Sequence, residues 1–262
     1  MPRGIVLMLL GLVAMCGCAH VTGGTSGHGR FEAREVEVAG QRRGYQVFVP
    51  ATQHAGRLPV VLFLHGSGER GNDNQAQLNA GLGPYLRRHM DDFPAIVVLP
   101  QAPEGGEWMG DNNRVALAAL DAATREFGGD PKRTYLTGLS MGGYGTWEIA
   151  LAQPHRFAAL APVCGALTPF SDQRALYVTP VIGEADPHAA LAARLHHVPT
   201  WIFHGARDDV VPPEDDRKTY AALKAAGAEV RYTEFPDANH NSWDPAYAMP
   251  ELWEWLFAHR LR

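Results

Sequence analysis

The feature that most constrains this chain is Gly138-Leu139-Ser140-Met141-Gly142, followed at once by Gly143. Arg133 to Thr137 (RTYLT) reads as a short buried strand in front of it, and Gly142 to Gln153 (GGYGTWEIALAQ) as a helix behind it. A strand that turns directly into a helix forces the corner residue into a strained backbone conformation, with its side chain exposed at the top of a sheet. Glycines at 138, 142 and 143 let strand, turn and helix approach without side-chain clashes. A serine at such a corner is a candidate nucleophile, beside the positive end of a helix where an oxyanion would be stabilised. The spacing occurs by chance in many glycine-rich chains; the flanking strand and helix give it meaning here.

A serine hydroxyl is a poor nucleophile at neutral pH and needs a base, an orienting carboxylate and an oxyanion hole. Downstream of Ser140, the loop His204-Gly205-Ala206-Arg207-Asp208-Asp209-Val210-Val211-Pro212 leaves the apolar run Pro199 to Phe203, and Asp208 and Asp209 both qualify as the acid. His240 lies in Ala238-Asn239-His240-Asn241-Ser242-Trp243, between a last strand expected over Glu229 to Phe235 and a final helix expected over Ala246 to Arg260. Upstream, Pro59 to Leu64 (PVVLFL) reads as a strand covered on both faces, and the glycine-rich loop His65-Gly66-Ser67-Gly68-Glu69-Arg70-Gly71-Asn72 follows it.

The remaining pattern is alternating. Arg34 to Val38 and Gly44 to Val49 suit an antiparallel hairpin around Ala39-Gly40-Gln41. A helix is expected between Gln77 and Met90, a strand over Ala95 to Leu99, and a helix over Asn113 to Phe127 capped by Asn112 or Asn113. A strand over Phe157 to Val163, a short helix over Ala189 to Leu195 and a helix over Pro212 to Ala226 complete the set. Strands alternating with helices imply an α/β fold: a mostly parallel sheet with helices on both faces and an antiparallel hairpin at its start. With 262 residues, 46% of them hydrophobic, the chain can bury one such domain. A formal charge of -5 without a basic stripe or zinc spacing argues against nucleic-acid binding. Neither G-x-G-x-x-G nor a P-loop G-K-[ST] is present, and no cofactor or metal is expected.

The first residues have a different character. Arg3, an apolar run from Ile5 to Met15 and Cys16-Gly17-Cys18 have the layout of an export signal over residues 1–18, too short to span a bilayer comfortably. Gly17-Cys18 resembles the end of a bacterial lipobox, with Met15 and Cys16 departing from the usual pattern. Cys18 is thus the expected lipidation site and membrane attachment, with plain cleaved export and an uncleaved anchor as the alternatives. Val21 to Arg30 is glycine-rich, so residues 19–33 read as a flexible tether and 34–262 as the folded domain. Within that domain Cys164 stands alone and reads as a small buried apolar residue.

Five blocks together resemble a known group: LPVVLFLHGSGERGND (58–73), VVLPQAPEGGEWM (97–109), RTYLTGLSMGGYGTWEIA (133–150), WIFHGARDDVVP (201–212) and NHNSWDPAY (239–247). The chain is similar to α/β-hydrolases of the secreted bacterial kind often described as predicted peptidases or as phospholipase/carboxylesterase-like, relatives of feruloyl esterases and polyhydroxybutyrate depolymerases. Dienelactone hydrolases, also related, use a cysteine nucleophile, so Ser140 argues against that activity. The resemblance implies an α/β-hydrolase fold with the order nucleophile, acid, base. It assigns the acid to Asp208, the base to His240 and the oxyanion hole to the backbone N–H groups of Ser67 and Met141. Asn239 departs from the glycine many relatives carry, a change that asparagine's tolerance of left-handed backbone would absorb.

A carboxylesterase for small or carbohydrate-linked acyl groups is the expected function, with a prolyl-oligopeptidase-type peptidase as runner-up and a non-catalytic surface binding protein as a remote third. Trp108 and Trp243, each next to one of these loops, are candidate walls of an acyl pocket, with core packing the alternative. Glu69 and Arg70 are expected to shape their loop as an internal ion pair or to meet polar groups of the substrate. The tryptophans of the final helix, with Leu252, Leu256 and Phe257, read as packing. His65 and His204, each before a glycine at a strand end, read as loop-bonding imidazoles. His20, His28 and His54 fall in the tether or a surface turn.

Overall fold

Eight apolar runs assemble into one sheet in the computed structural model, which describes residue 1 and residues 27–51, 56–169 and 176–262. The strands are β1 (Arg30–Val38), β2 (Gln41–Val49), β3 (Leu58–Leu64), β4 (Ile96–Pro100), β5 (Gly129–Leu139), β6 (Ala159–Val163), β7 (Thr200–Gly205) and β8 (Val230–Phe235). Their spatial order is β1-β2-β4-β3-β5-β6-β7-β8. β1 and β2 form the expected hairpin, and β2 meets β4 antiparallel. From β4 to β8 every pairing is parallel. Ala39 and Gly40, at φ 52 and 76, make the two-residue turn whose positive φ values match the twist of a hairpin.

Apart from the edge strand β8 and the first residues of β5, the parallel strands are buried on both faces, and their alternation sorts the core into two layers. Val60, Leu62 and Leu64 of β3, with Ile96 and Val98 of β4, face a layer that includes α2 (Asp111–Glu126), α3 (Met141–Ala152), α4 (Pro187–Leu195) and Leu223 of α5 (Glu214–Ala225). Val61 and Phe63, with Val97 and Leu99, face the other, formed by α1 (Leu82–Arg88), α6 (Trp243–Ala248) and α7 (Pro250–Ala258). Residues Met141 to Leu151 of α3 are all buried, so the helix that follows Ser140 is held inside the protein rather than laid on it.

Several boundaries differ from expectation for identifiable reasons. The sheet begins at Arg30, so residues 30–33 of the expected tether belong to β1. Neither Asn112 nor Asn113 caps α2: Gly110 occupies that position without a side-chain hydrogen bond, and Asn113 is buried within the first turn. The helix expected from Gln77 divides into a 3₁₀ turn at Ala76–Leu78 and α1, separated by Gly81 at φ 60. The final helix divides at Met249, in an extended conformation because Pro250 follows it. Trp253 then stacks between Tyr85 and Tyr247, as packing. The export signal, Cys18, His20 and His54 lie outside the described residues. Among the described residues no helix is long and apolar enough to cross a membrane.

Candidate active site

Parallel strands present all their C-terminal ends at one edge, and that edge collects the candidate residues. Ser140 follows β5, Asp208 follows β7 and His240 follows β8. Ser140 sits at φ 53 and ψ -117, a strained corner for a residue with a side chain. Its N–H donates to the Val163 carbonyl at 2.9 Å, and its own carbonyl accepts from Gly143 N–H at 2.7 Å. The corner closes only because its glycines lack Cβ atoms. One added at Gly142 would lie 1.9 Å from the Leu64 carbonyl oxygen, and one at Gly138 would lie 2.3 Å from that of Gly142.

The side chains join in line. Ser140 Oγ donates to His240 Nε2 at 2.9 Å, and His240 Nδ1 donates to Asp208 Oδ2 at 2.7 Å. Asp208 Oδ1 accepts the backbone N–H groups of Val210 and Val211, both at 2.9 Å. Burial opposes ionisation of Asp208, but His204, His240 and the Val211 N–H outweigh it and hold the carboxyl well below the usual range. Asp209 points into solvent. Gly205 brings the loops that carry Asp208 and His240 together, since a Cβ there would lie 2.1 Å from the Asn239 carbonyl. Asn239 does not use left-handed backbone: its φ is not positive, and its side-chain oxygen accepts from Asn241 N–H at 3.1 Å in a local turn.

The two expected oxyanion donors sit on either side of this line. Met141 opens α3, so its N–H belongs to the first turn, which a helix's own ladder leaves unpaired. Its side chain is buried in the core and lines no substrate space. Ser67 opens the 3₁₀ turn after β3, and that loop packs on the end of β5, where a Cβ on Gly66 would lie 2.7 Å from Leu139 Cδ1.

The two tryptophans divide. Trp108 is a core residue: 2% exposed, its indole N–H donates to the His65 carbonyl at 2.9 Å, and its Cβ packs against Gly145. Of the two readings open for Trp108, pocket wall or core packing, this placement favours the core. Trp243 is partly exposed and stands against His240. Arg70 does not pair with Glu69; it binds the Gly106 carbonyl at 2.6 Å and the Glu107 carboxylate, tying the loop after β3 to the next loop along the edge. Glu69 turns back on the Gly66 N–H, and its burial raises its carboxyl above the usual value.

His65 is fully buried, with Nδ1 donating to the Gly66 carbonyl at 2.6 Å and Nε2 accepting Ala102 N–H at 3.0 Å. Burial pushes it down to about 4, so it is a neutral loop fastener. His28 is exposed and pairs with Asp91. Cys164 is fully buried, and burial pushes its thiol up. Its sulfur, Asp208 and His240 have ligand-type atoms within 4.8 Å of one another, the one such group of three among the described residues. Asp208 and His240 are already engaged with each other, and an un-ionised thiol is a poor metal ligand, so the group does not suit a resident cation.

One pair went unrecognised in the sequence. His204, buried at the end of β7, donates from Nδ1 to Asp216 Oδ2 at 2.8 Å and from Nε2 to the Val211 carbonyl at 2.8 Å, with Asp208 Oδ2 at 3.3 Å. The only signal was the His-Gly dipeptide at a strand end; Asp216 carries none.

A family model, the prolyl oligopeptidase family, matches residues 107–259, a stretch that contains Ser140, Asp208 and His240. The chain belongs to this family. It is an α/β-hydrolase, of a family whose solved relatives in fold include esterases and peptidases. A poly(3-hydroxyoctanoate) depolymerase of Pseudomonas fluorescens is 31% identical over 241 residues, covering 85% of this chain and 81% of the relative. A thermostable esterase superposes with a TM-score of 0.73 at 31% identity; the match covers 88% of this hydrolase and 63% of the esterase. An acylaminoacyl peptidase of Pyrococcus horikoshii shares the fold at 18% identity and TM-score 0.67, with 89% of this hydrolase matched to 42% of the longer chain.

Proposed function

We propose that this hydrolase is a serine carboxylesterase that cleaves small or carbohydrate-linked acyl esters through an acyl-enzyme on Ser140. The observation that carries the reading is the unbroken hydrogen-bonded line from Ser140 Oγ through His240 to the buried carboxylate of Asp208. In the forward step, Ser140 Oγ bonds to the ester carbonyl carbon while His240 Nε2 takes its proton. Asp208 holds the imidazole in the tautomer that leaves Nε2 free to accept. The backbone N–H groups of Met141 and Ser67 receive the negative oxygen. The tetrahedral species collapses, the C–O bond to the alcohol breaks, and His240 returns the proton to the departing oxygen. Water then repeats the sequence on the acyl-enzyme and releases the acid. The names of the relatives favour esters, a polymeric hydroxyacid ester among them. Export, with lipidation of Cys18 as the anchor, is the cellular setting that the first 18 residues support.

Membership of the prolyl oligopeptidase family favours a second reading, a peptidase for short peptides with the same machinery. Two measurements test the proposal. A fluorophosphonate should label the wild type and leave Ser140→Ala unlabelled; labelling that persists in the variant overturns Ser140 as nucleophile. A panel of aryl esters and Xaa-Pro amides should be turned over with the esters faster, and the reverse order assigns the protein to the peptidase reading.

A further inference from the structure

The line of hydrogen bonds does not stop at Asp208. Its Oδ2 faces two imidazoles, His240 Nδ1 at 2.7 Å and His204 Nε2 at 3.3 Å. The side chains of His204, Asp208 and Asp216 are all fully buried, so none of their charges is shared with water. The proton positions on His204 follow from what surrounds it. Nε2 is aimed at the Val211 carbonyl and the Asp208 carboxylate, both acceptors, so it carries hydrogen. Nδ1 is aimed at Asp216 Oδ2 at 2.8 Å, and Asp216 Oδ1 has no hydrogen-bond partner among the described residues. A buried carboxylate with one unpartnered oxygen is costly unless a cation faces the other.

We infer that His204, clamped by Asp216, is a buried imidazolium that positions the acid of the triad and offsets its charge. The inference rests on the reading of Ser140, Asp208 and His240 as a catalytic triad. His204 reaches Asp208 in two ways. Directly, its N–H stands beside Oδ2. Indirectly, it holds the Val211 carbonyl while the Val211 N–H holds Asp208 Oδ1, so one residue clasps the carboxylate from both sides. The rotamer that presents Oδ2 to His240 is thereby fixed. Burial works against the charge on His204, but Asp208 and Asp216 outweigh it and raise the imidazole to about 10. Burial raises Asp216 to about 6, which leaves it ionised at neutral pH beside that cation.

The charge matters for His240 as well. An unopposed Asp208 would set an uncompensated negative charge against the imidazole it orients. A cation on the far side of Asp208 counters that charge. Other groups around the pair are already committed. Glu234 of β8 is neutralised by Arg217 at 2.7 Å and accepts from Tyr232 at 2.6 Å. Asp215 of α5 receives Leu167 N–H at 2.7 Å and the Thr168 hydroxyl, with His188 at 3.7 Å. Cys164, at the end of β6, is held un-ionised by burial.

The test is the pH profile of kcat/KM for an aryl ester in His204→Gln, Asp216→Asn and the double variant, with thermal melts confirming that each is folded. Gln at 204 keeps a donor and removes the charge. It should lower kcat on the order of tenfold and move the acid limb up by roughly half to one pH unit. Asp216→Asn removes an anion instead, so its limb should not follow and should move down. The double variant, which removes one charge of each sign, should bring the limb back towards wild type while kcat stays low. An acid limb that stays put in His204→Gln, or that moves the same way in both single variants, reduces the pair to a structural one and overturns the inference. Titration of the wild type with a fluorophosphonate separates this from the underlying reading. Labelling with an unmoved limb overturns the role of His204 alone, whereas absence of labelling removes Ser140 as nucleophile and the inference with it.

Discussion

The ring of Trp243 stands edge-on to the imidazole of His240, centroids 5.5 Å apart at an interplanar angle of 90°. Trp108 meets His65 in a similar way, at 5.0 Å and 68°, but behind the oxyanion loop and away from solvent. The same residue type next to two neighbouring loops therefore has two different consequences. Trp243→Ala should raise KM for aryl esters several-fold and reduce kcat less, read from steady-state kinetics. Trp108→Phe should leave KM unchanged and lower stability by about 1–3 kcal/mol, since it strands the His65 carbonyl, read from denaturant unfolding.

Asp208→Asn and Asp209→Asn, compared side by side, should behave unequally. Asn at 208 keeps the shape but loses the anion and can turn an amide N–H toward His240, so kcat should fall by roughly four orders of magnitude. Asn at 209 changes a solvent-facing carboxylate and should leave kcat within about twofold. Equal losses in the two variants would count against Asp208 as the acid.

Which parts of this arrangement could be read in advance follows from how local each signal is. The corner at Ser140 announces itself because three glycines are needed within six residues, and each glycine has a steric duty that the structure makes explicit. The parallel strands are legible because burial on both faces leaves continuous apolar runs at Val60–Leu64 and Ile96–Leu99. Trp108 stayed open between pocket wall and core because adjacency to a loop in sequence says nothing about the direction of an indole. The break at Met249 was foreseeable from Pro250, but the apolar face of Leu252, Trp253 and Leu256 runs on past it and looked like one helix. The pairing of His204 with Asp216 escaped, although His204 itself reads as a loop-bonding imidazole. They are twelve residues apart, on a strand and a helix, and a buried charge pair carries no periodicity that would betray it.

Stability should depend on pH through the two buried histidines in opposite senses. His65 is held near 4, below its unfolded value of about 6.5, so its contribution is complete above 6.5 and is lost as pH falls towards 4. The Tm difference between wild type and His65→Gln should accordingly shrink between pH 7 and pH 4. His204 is raised to about 10, so its contribution is complete below 6.5 and is lost as pH rises towards 10. The Tm difference between wild type and His204→Gln should shrink over that alkaline range. Parallel behaviour of the two differences across the whole range would contradict these assignments.

A single methyl group tests the corner. Gly142→Ala places a carbon on the Leu64 carbonyl, a backbone atom that cannot swing aside. Either the chain loses more than about 3 kcal/mol, or it folds with Ser140 displaced and loses activity out of proportion to stability. Gly40→Ala, where a Cβ meets nothing within 4 Å but φ is 76, should cost only about 1 kcal/mol. Melting curves and turnover of the two variants distinguish crowding from backbone strain.

Ser140 and His240 are 100 residues apart along the chain and meet only through β8, the outermost strand, added last in sequence. A ribosome that has just released α4 has completed the corner at Ser140 but not the loop that carries His240. On the reading of Ser140 as nucleophile and His240 as its base, the serine stays unactivated until β8 has joined the edge of the sheet. Hydrolytic power would then arrive in one step as that edge closes, and a chain folded only through its corner would not attack esters.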